Sequence, residues 1–542
     1  MFLSEFFTAK TAERAGFIER RGKENPCVTG LEYDSRKIQP GNLYFALPGI
    51  HADGHAFIAG AISRGALVIV HQADLPLDLP EGPVYIRVRD SRFAMAPLAA
   101  AFYGFPAEKL VLAGVTGTEG KSTTVYLIWQ LLRLTGKKAG FISTVQYSNG
   151  GEAEWNAEHQ TTPEAVTIQK RLAEMAANGA EYAVIEASSH GLSPRTNRLG
   201  EIFFDAAVLT NVTHEHLEFH GTWEQYRDDK ANLFRSLDKR VDQLPELENA
   251  AGNETRLRAN PFGVINGDDK SAPYFTAATK QPTQSFSTAL NGGSPDGKTE
   301  QRGKTPALRL RSIESGAGGS RYELYSAGGK IFTVEDKLPG AFNAGNVMAA
   351  LLTTAGLLGV QVEDLIPLVP SLRPVRGRMT AVNRGQNFEV LVDYAHTPSS
   401  FETIFPPLRS RLNKSGGRVI SLFGSAGERD TKKRSEQGAI AALYSDVVIL
   451  TDEDPRGEDS MVILEEIAAG VPDSFCREKN LFLIPSRPAA IRKAFSLARR
   501  GDLVLLLGKG HENSIIYKDH TMKYDEIAEA EKALEEINFS LS

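Results

Sequence analysis

The 542-residue sequence holds only two cysteines, Cys27 and Cys476. That is too few for a disulfide framework and points to a reducing compartment. No apolar run approaches the roughly 20 residues needed to span a bilayer. Met1 to Arg14 breaks its apolar residues with Glu5, Lys10 and Glu13, so no signal-peptide core is expected. Positive charge is not in excess: 61 Lys and Arg against 67 Asp and Glu leave a net charge of −6. This removes any global attraction for nucleic acid or an anionic membrane, although a local basic pocket for phosphates is compatible with it. Internal repeats and coiled-coil heptads are also missing. What remains is the composition of an intracellular globular chain, 42% hydrophobic and 24% charged. At about 150 residues per domain, its length suggests three to four domains.

Short apolar runs then give the organisation. Leu43–Leu47, Ala66–Val70 and Val84–Val88 read as strands and Ala56–Arg64 as a helix, a small α/β unit. A second unit opens with the continuous strand Leu110–Val115, a Gly-rich turn and a helix from Lys121 to Leu134 whose Val125, Ile128, Trp129 and Leu132 share one face. The buried-type strands Tyr182–Ile185 and Ala206–Leu209 follow, and this alternation predicts a parallel sheet covered on both faces. Asp238–Asn260 is highly charged, and Lys280–Gly319 is rich in Ser, Thr, Gly, Lys and Pro. Both read as surface loops or insertions, the second partly disordered. A third α/β unit carries strands at Phe388–Val392, Val419–Phe423, Val447–Leu450, Leu481–Ile484 and Leu503–Leu507. The expected class is α/β with domains at 1–107, 108–371 and 372–542, and polar insertions at about 238–260 and 280–320 of the second.

The strongest local signal is Gly114-Val115-Thr116-Gly117-Thr118-Glu119-Gly120-Lys121-Ser122-Thr123, between a strand and a helix. Glycines let backbone N–H groups approach phosphate oxygens, Lys121 can neutralise β/γ oxygens, and the Ser122 hydroxyl can reach Mg²⁺. The strict Walker A spacing fails by one residue, since Val115 stands where the first glycine should fall. Glu119 is an acidic oddity that would repel a phosphate unless it points away or meets metal. Glu186 ends an apolar strand, where a carboxylate faces the ligand crevice of a parallel sheet; magnesium binding and a cap or ion pair are both open. Thr210 to Gly221 contains His214, His216 and His220, without the cysteine pair or HExxH helix of a zinc site.

Read in order, Gly117–Ser122, Glu186-Ala187-Ser188-Ser189-His190-Gly191, Thr210-Asn211…His216-Leu217…His220-Gly221, Leu372…Gly377-Arg378-Met379 and Asp393-Tyr394-Ala395-His396-Thr397-Pro398 resemble the ATP-dependent Mur ligases over nearly the whole chain. Tyr33-Asp34-Ser35-Arg36, Thr161-Thr162-Pro163, Glu453-Asp454-Pro455-Arg456 and Gly508-Lys509-Gly510-His511-Glu512 are most similar to the members that add the third residue of the peptidoglycan stem peptide. The resemblance implies three domains: a small UDP-binding domain, a central P-loop-type ATPase and a Rossmann-like C-terminal domain. It implies a cytoplasmic, monomeric enzyme using ATP, Mg²⁺, UDP-N-acetylmuramoyl-dipeptide and a free diamino acid. A substrate carboxylate attacks the γ-phosphorus of ATP, and an amine then displaces phosphate from the acyl phosphate.

By the same resemblance, Gly117, Thr118, Glu119, Gly120, Lys121, Ser122 and Thr123 hold ATP, and Ser122, Glu186 and His216 hold magnesium. Lys121, His216 and Lys230 serve catalysis, Lys230 as a carbamate binding a second magnesium; from the sequence alone it is a helix-surface lysine. Asn343 or Asn346, with Arg378 and Asp393, would meet the other end of ATP on domain closure; a helix cap and a strand-end turn are the plainer readings of Asn343 and Asp393. Tyr33, Ser35, Ile50, His51, Ala52, Thr161, Thr162, Ser188 and either Arg198 or Arg195 would contact the UDP-sugar, although Asp34–Arg36 also reads as a turn with a surface ion pair. Arg429, Glu453, Asp454, Pro455, Arg456, Gly508 and Glu512 would bind the amino acid. Arg456 favours a distal carboxylate, as in meso-diaminopimelate, whereas Asp454, in place of the family's Asn, adds negative charge that favours a bare distal amine, as in lysine or ornithine. Gly427–Arg434 could equally be a solvated charge cluster. A folylpolyglutamate-synthetase-like ligase would lack the N-terminal unit, and a non-catalytic scaffold need not keep Lys121, Glu186, His216 and Lys230.

Overall fold

Apolar strands alternating with amphipathic helices build three mainly parallel sheets in the computed structural model, which describes residues 1–49, 52–75, 80–156, 160–213, 217–251, 260–290, 306–316 and 318–541. The chain divides into two compact units, one of Met1–Phe286 with Met348–Leu365 and one of Ser287–Val347 with Ile366–Ser542. No single described helix is long and apolar enough to cross a membrane, and Cys27 and Cys476 are exposed free thiols.

The first unit holds the N-terminal sheet and the parallel body of the largest one. In the N-terminal one, Gly30–Glu32, Asn42–Phe45, Val68–His71 and Val84–Val88 pair in parallel, and Phe17–Arg21 closes the far edge antiparallel. In the other, Val111–Thr116 lies between Tyr182–Glu186 and Ala206–Leu209, with Ala139–Ile142 beyond the former and Phe262–Asn266 beyond the latter, all parallel. Continuous apolar runs make the central strands, such as Val68–His71, Val111–Thr116, Tyr182–Glu186 and Ala206–Leu209, which are buried on both faces. The helices Lys121–Leu134 and Trp223–Ala251 cover the sheet.

Two expectations about the polar stretches are corrected. Asp238–Asn260 is not a loop as far as Ala251: it continues the helix Trp223–Ala251. Tyr226, Leu233, Phe234 and Leu237 set its buried stripe, and Arg240 extends that stripe by pairing inside the protein. The flanks of Lys280–Gly319 are also ordered. Thr283–Ser287 and Leu308–Gly316 are strands, the latter hairpinned to Gly319–Ser326 with Leu310 opposite Leu324. The alternation of Leu308 and Leu310 with Arg309 and Arg311 is the half-buried strand signal that the polar composition concealed.

The second unit carries the third sheet, ordered Thr380–Ala381, Glu389–Asp393, Leu503–Leu507, Val419–Phe423, Val447–Leu450, Leu481–Leu483. All but the first pairing are parallel. Its carboxyl strand ends therefore lie on one side, where a parallel sheet takes its ligands.

Candidate functional site

In the first unit the phosphate loop lies between the carboxyl ends of Tyr182–Glu186 and Ala206–Leu209. Gly117 has φ +156°, and a Cβ there would stand 1.9 Å from Thr210 Oγ1, so only glycine fits. Gly120, at φ +81°, leads into Lys121–Leu134 without a side-chain cap, leaving the first helical N–H groups for an anion. The following motif braces the loop. Asn211 Oδ1 accepts from Glu119 N at 2.8 Å, Asn211 O accepts from Thr118 N at 2.8 Å, and the Thr210 hydroxyl donates to Glu119 O. The loop is thus held by its backbone at Glu119. Thr123 follows in the first helical turn.

Two lysines reach the same loop. Lys121 Nζ donates to Thr118 O at 2.7 Å and Lys230 Nζ to Gly117 O at 2.6 Å. Lys230 is 2% exposed and lies 4.5 Å from the Tyr226 ring centroid, so it is not the helix-surface lysine that the sequence alone describes. Glu186 is buried, and its carboxylate accepts from Ser122 Oγ at 2.9 and 3.0 Å and from Thr144 N at 2.9 Å. Among the described residues it is neither a helix cap nor half of a salt bridge.

The Ser122 hydroxyl and Glu186 carboxylate form an oxygen donor pair suited to magnesium. Lys230 as an ammonium would oppose a metal there, and as a carbamate it would supply another oxygen. His216 lies outside the described residues, and no group of three or more His, Cys, Asp or Glu suited to a metal occurs among the described ones.

Sequence patterns did not anticipate the bracket behind Lys230. His220 is buried, with Nδ1 2.8 Å from Asp229 Oδ2 and Nε2 3.0 Å from Ser189 Oγ. It ties the helix bearing Lys230 to the turn that follows Glu186.

Part of the expected UDP-sugar set also converges. Thr162 Oγ1 donates to Glu186 O at 2.9 Å and accepts from Ser188 N at 3.0 Å. Arg198 donates to Thr162 O and to Glu164 Oε1, each at 2.9 Å, and Glu164 also pairs with Arg92. Arg195 instead points to Phe219 O at 3.0 Å and is exposed. Thr161 adjoins this cluster in the chain. Tyr33 packs on the N-terminal core, Ser35 opens the short 3₁₀ turn Ser35–Lys37, and Ala52 is exposed. Ile50 and His51 lie outside the described residues. Asp34 caps the turn and forks onto Arg36 at 2.9 and 2.8 Å, so the turn and surface ion pair are both present.

The second unit gathers a second set. Asp393 is buried and accepts from Met379 N and Ala395 N, each at 2.7 Å; burial raises its carboxyl above the usual range against the pull of Arg378. The Arg378 guanidinium lies 4.7 Å from the Tyr394 ring centroid, and Tyr394 OH donates to Glu512 at 3.2 Å. Tyr394, given no role by the sequence reading, therefore links the residues expected at ATP to one expected at the amino acid. Asn343 opens the helix Asn343–Leu358; its Nδ2 donates to Pro339 O at 2.7 Å, and its Oδ1 accepts from Asn346 at 2.9 Å.

Glu453, Asp454, Pro455 and Arg456 follow the strand Val447–Leu450, and Gly508 to Glu512 follow Leu503–Leu507. Asp454 accepts from Lys509 Nζ at 2.8 Å and from Ile516 N at 3.0 Å. Lys509 also pairs with Glu512. Burial alone would pull the Lys509 ammonium down, but Glu512 and Asp454 outweigh it and hold it above its ordinary value. Asp454 thus shares the Lys509 ammonium with Glu512 inside the protein. Glu453 is 7% exposed, its Oε2 has no hydrogen-bond partner among the described residues, and burial raises its carboxyl. Arg456 is half-buried at φ +56°. Arg429 is exposed, but its neighbour Arg434 is buried between Glu458 and Glu466, so the charge cluster of 427–434 is only partly solvated.

Comparison with known proteins matches three successive stretches of the chain. Residues 27–103 match the profile described as "Mur ligase family, catalytic domain", 115–354 "Mur ligase middle domain", and 377–510 "Mur ligase, glutamate ligase domain". The chain is 51% identical over 525 residues to UDP-N-acetylmuramyl-tripeptide synthetase of Treponema denticola, covering 95% of each. It is 37% identical over 512 residues to UDP-N-acetylmuramoyl-L-alanyl-D-glutamate–2,6-diaminopimelate ligase of Geobacillus kaustophilus, covering 94% and 96%. A solved UDP-N-acetylmuramoyl-L-alanyl-D-glutamate–2,6-diaminopimelate ligase superposes with TM-score 0.58 at 26% identity, covering 94% and 95%.

Proposed function

Since the chain belongs to the Mur ligase family, we propose that it is an ATP-dependent ligase joining a diamino acid to the D-Glu of UDP-N-acetylmuramoyl-L-Ala-D-Glu in cytoplasmic peptidoglycan precursor synthesis. The observation that carries this reading is the convergence of Lys121, Ser122, Glu186 and Lys230 on one glycine loop. In a chain matched over 95% of its length by a tripeptide synthetase, that convergence supports reading the loop as an apparatus for phosphoryl transfer.

Our mechanism begins with ATP phosphates on the free N–H groups of the loop and helix start. Lys121 leaves Thr118 O to meet the transferred phosphoryl group. The substrate carboxylate attacks the γ-phosphorus, ADP departs, and an acyl phosphate remains. The α-amine of the diamino acid attacks the acyl carbon and releases inorganic phosphate. Magnesium, held by Ser122 and Glu186 with His216 and carbamylated Lys230, would neutralise the charge that develops on the phosphoryl oxygens. Thr161, Thr162, Ser188 and Arg198, with Tyr33, Ser35 and Ile50–Ala52, receive the UDP-sugar. Asn343, Arg378 and Asp393 receive the other end of ATP. Arg429 holds the α-carboxylate and Glu512 an amino group, while Arg456 offers a fork to a distal carboxylate and Glu453 an anion to a distal amine.

The test is phosphate release with UDP-N-acetylmuramoyl-L-Ala-D-Glu, ATP and Mg²⁺, supplying meso-diaminopimelate, lysine and ornithine one at a time. One of them should support turnover, and Lys121→Ala should abolish it while UDP-sugar binding survives. No release with any of the three would remove this reading.

A further inference from the structure

Beneath the two loops assigned to the amino acid lies an ion pair that no sequence motif marked. Arg487 opens the helix Arg487–Leu497, Glu526 opens Glu526–Leu541, and both are 0% exposed. Arg487 Nε and Nη2 donate to the two Glu526 oxygens at 2.8 and 2.6 Å, and the Tyr524 hydroxyl donates to the same carboxylate at 2.6 Å. The guanidinium has further donors, and these go to backbone. Nη1 reaches Asp452 O at 3.1 Å and Nη2 reaches Leu507 O at 2.6 Å.

Those two carbonyls immediately precede Glu453 and Gly508. The loops they anchor touch, because a Cβ on Gly508 would lie 3.1 Å from Glu453 Oε2. One planar fork therefore sets the spacing between the loop of Glu453 to Arg456 and the loop of Gly508 to Glu512. Stability does not account for this placement, since apolar residues of similar volume commonly replace a buried ion pair without loss. A rigid group contacting both strand ends does account for it.

We propose that Arg487 is a positioning residue for amino-acid recognition: held by Glu526 and Tyr524, it fixes the Asp452 and Leu507 carbonyls and thereby the gap that Glu453, Arg456 and Glu512 present to the incoming diamino acid. The inference rests on the reading that these loops bind that amino acid.

The experiment uses the full-length enzyme and steady-state phosphate release. The Arg487→Met/Glu526→Leu double variant keeps the volume buried and leaves no unpaired charge. Its KM for the amino acid should rise about tenfold or more, with the KM values for ATP and the UDP-substrate within about twofold and the thermal midpoint nearly unchanged. Arg487→Lys, which keeps the charge but loses the fork, should raise the same KM. An unchanged amino-acid KM in the folded double variant would overturn the proposal, as would a parallel loss in all three KM values and the midpoint. Arg456→Ala and Glu512→Gln are measured alongside. If neither moves the amino-acid KM, the placement of the site fails and the inference with it. If both raise it and the double variant does not, only the positioning role of Arg487 is refuted.

Discussion

Arg240–Asp205 in the first unit and Arg487–Glu526 in the second are the same fork at the same depth, yet they grip their sheets at opposite ends. Arg240 donates to Asp205 at 2.9 and 3.1 Å and to Leu110 O at 3.1 Å, and Asp205 Oδ2 accepts from Leu112 N at 2.8 Å. These contacts lie at the amino ends of Val111–Thr116 and Ala206–Leu209, away from the phosphate loop. Arg487 holds the carboxyl side, where the loops expected to bind ligand begin. Position along a parallel strand, rather than bond count or burial, separates a pair that only holds the fold from one that also shapes a site.

The largest effect expected from this contrast is on stability. Arg240→Met leaves Asp205 buried without its cation, which should cost about 3–5 kcal/mol. Chemical denaturation would read that loss, a large share of a typical domain's stability. Below the unfolding transition the variant should keep wild-type KM values for ATP, UDP-substrate and amino acid. A selective KM change would break the contrast by tying the amino ends of the strands to the site.

The same contrast explains what could be read in the sequence. The phosphate loop was legible because its glycines, lysine and serine are contiguous and each acts through local backbone chemistry. The strands were legible because a run buried on both faces is apolar throughout. The forks were not: Asp205 lies 35 residues from Arg240, and Glu526 lies 39 from Arg487. A buried arginine without its partner in view reads as surface charge, so the charged stretch after Asp238 reads as a loop although it continues a helix. Lys230 was hidden in the same way, since its acceptor, Gly117 O, is 113 residues away. The charge of Asp454 is plain in the sequence, but its partner Lys509, 55 residues on, is not. Lys509 sits in a motif whose glycines and Glu512 draw the eye first.

A smaller effect sharpens the comparison inside the second unit. If Asp454 is matched by Lys509, its charge does not choose the substrate. Asp454→Asn should then change the ratio of kcat/KM between lysine and diaminopimelate by less than about tenfold. Competition between the two amino acids in one phosphate-release assay measures that ratio directly. A reversal of preference would mean that Asp454 faces the distal group despite the lysine.

The smallest effect belongs to a third fork, Asp34–Arg36, with the geometry of the buried two but the Arg36 side chain 84% exposed. The hydrogen bond from Arg36 holds the Asp34 carboxyl below the usual aspartate range. A depressed carboxyl adds stability that is fully present above the unfolded-state value and fades as pH falls through the folded one. Asp34→Asn should therefore lower stability slightly at neutral pH, far less than Arg240→Met, because water and salt screen the pair. The difference from wild type should shrink as denaturation is repeated from about pH 5 downward. Should the variant instead keep its stability and raise only the KM for the UDP-substrate, this exposed fork would join Arg487 as a shaper of a site, here through Tyr33 and Ser35. Burial would then no longer be a condition for that role, and place in the fold would be the whole of it.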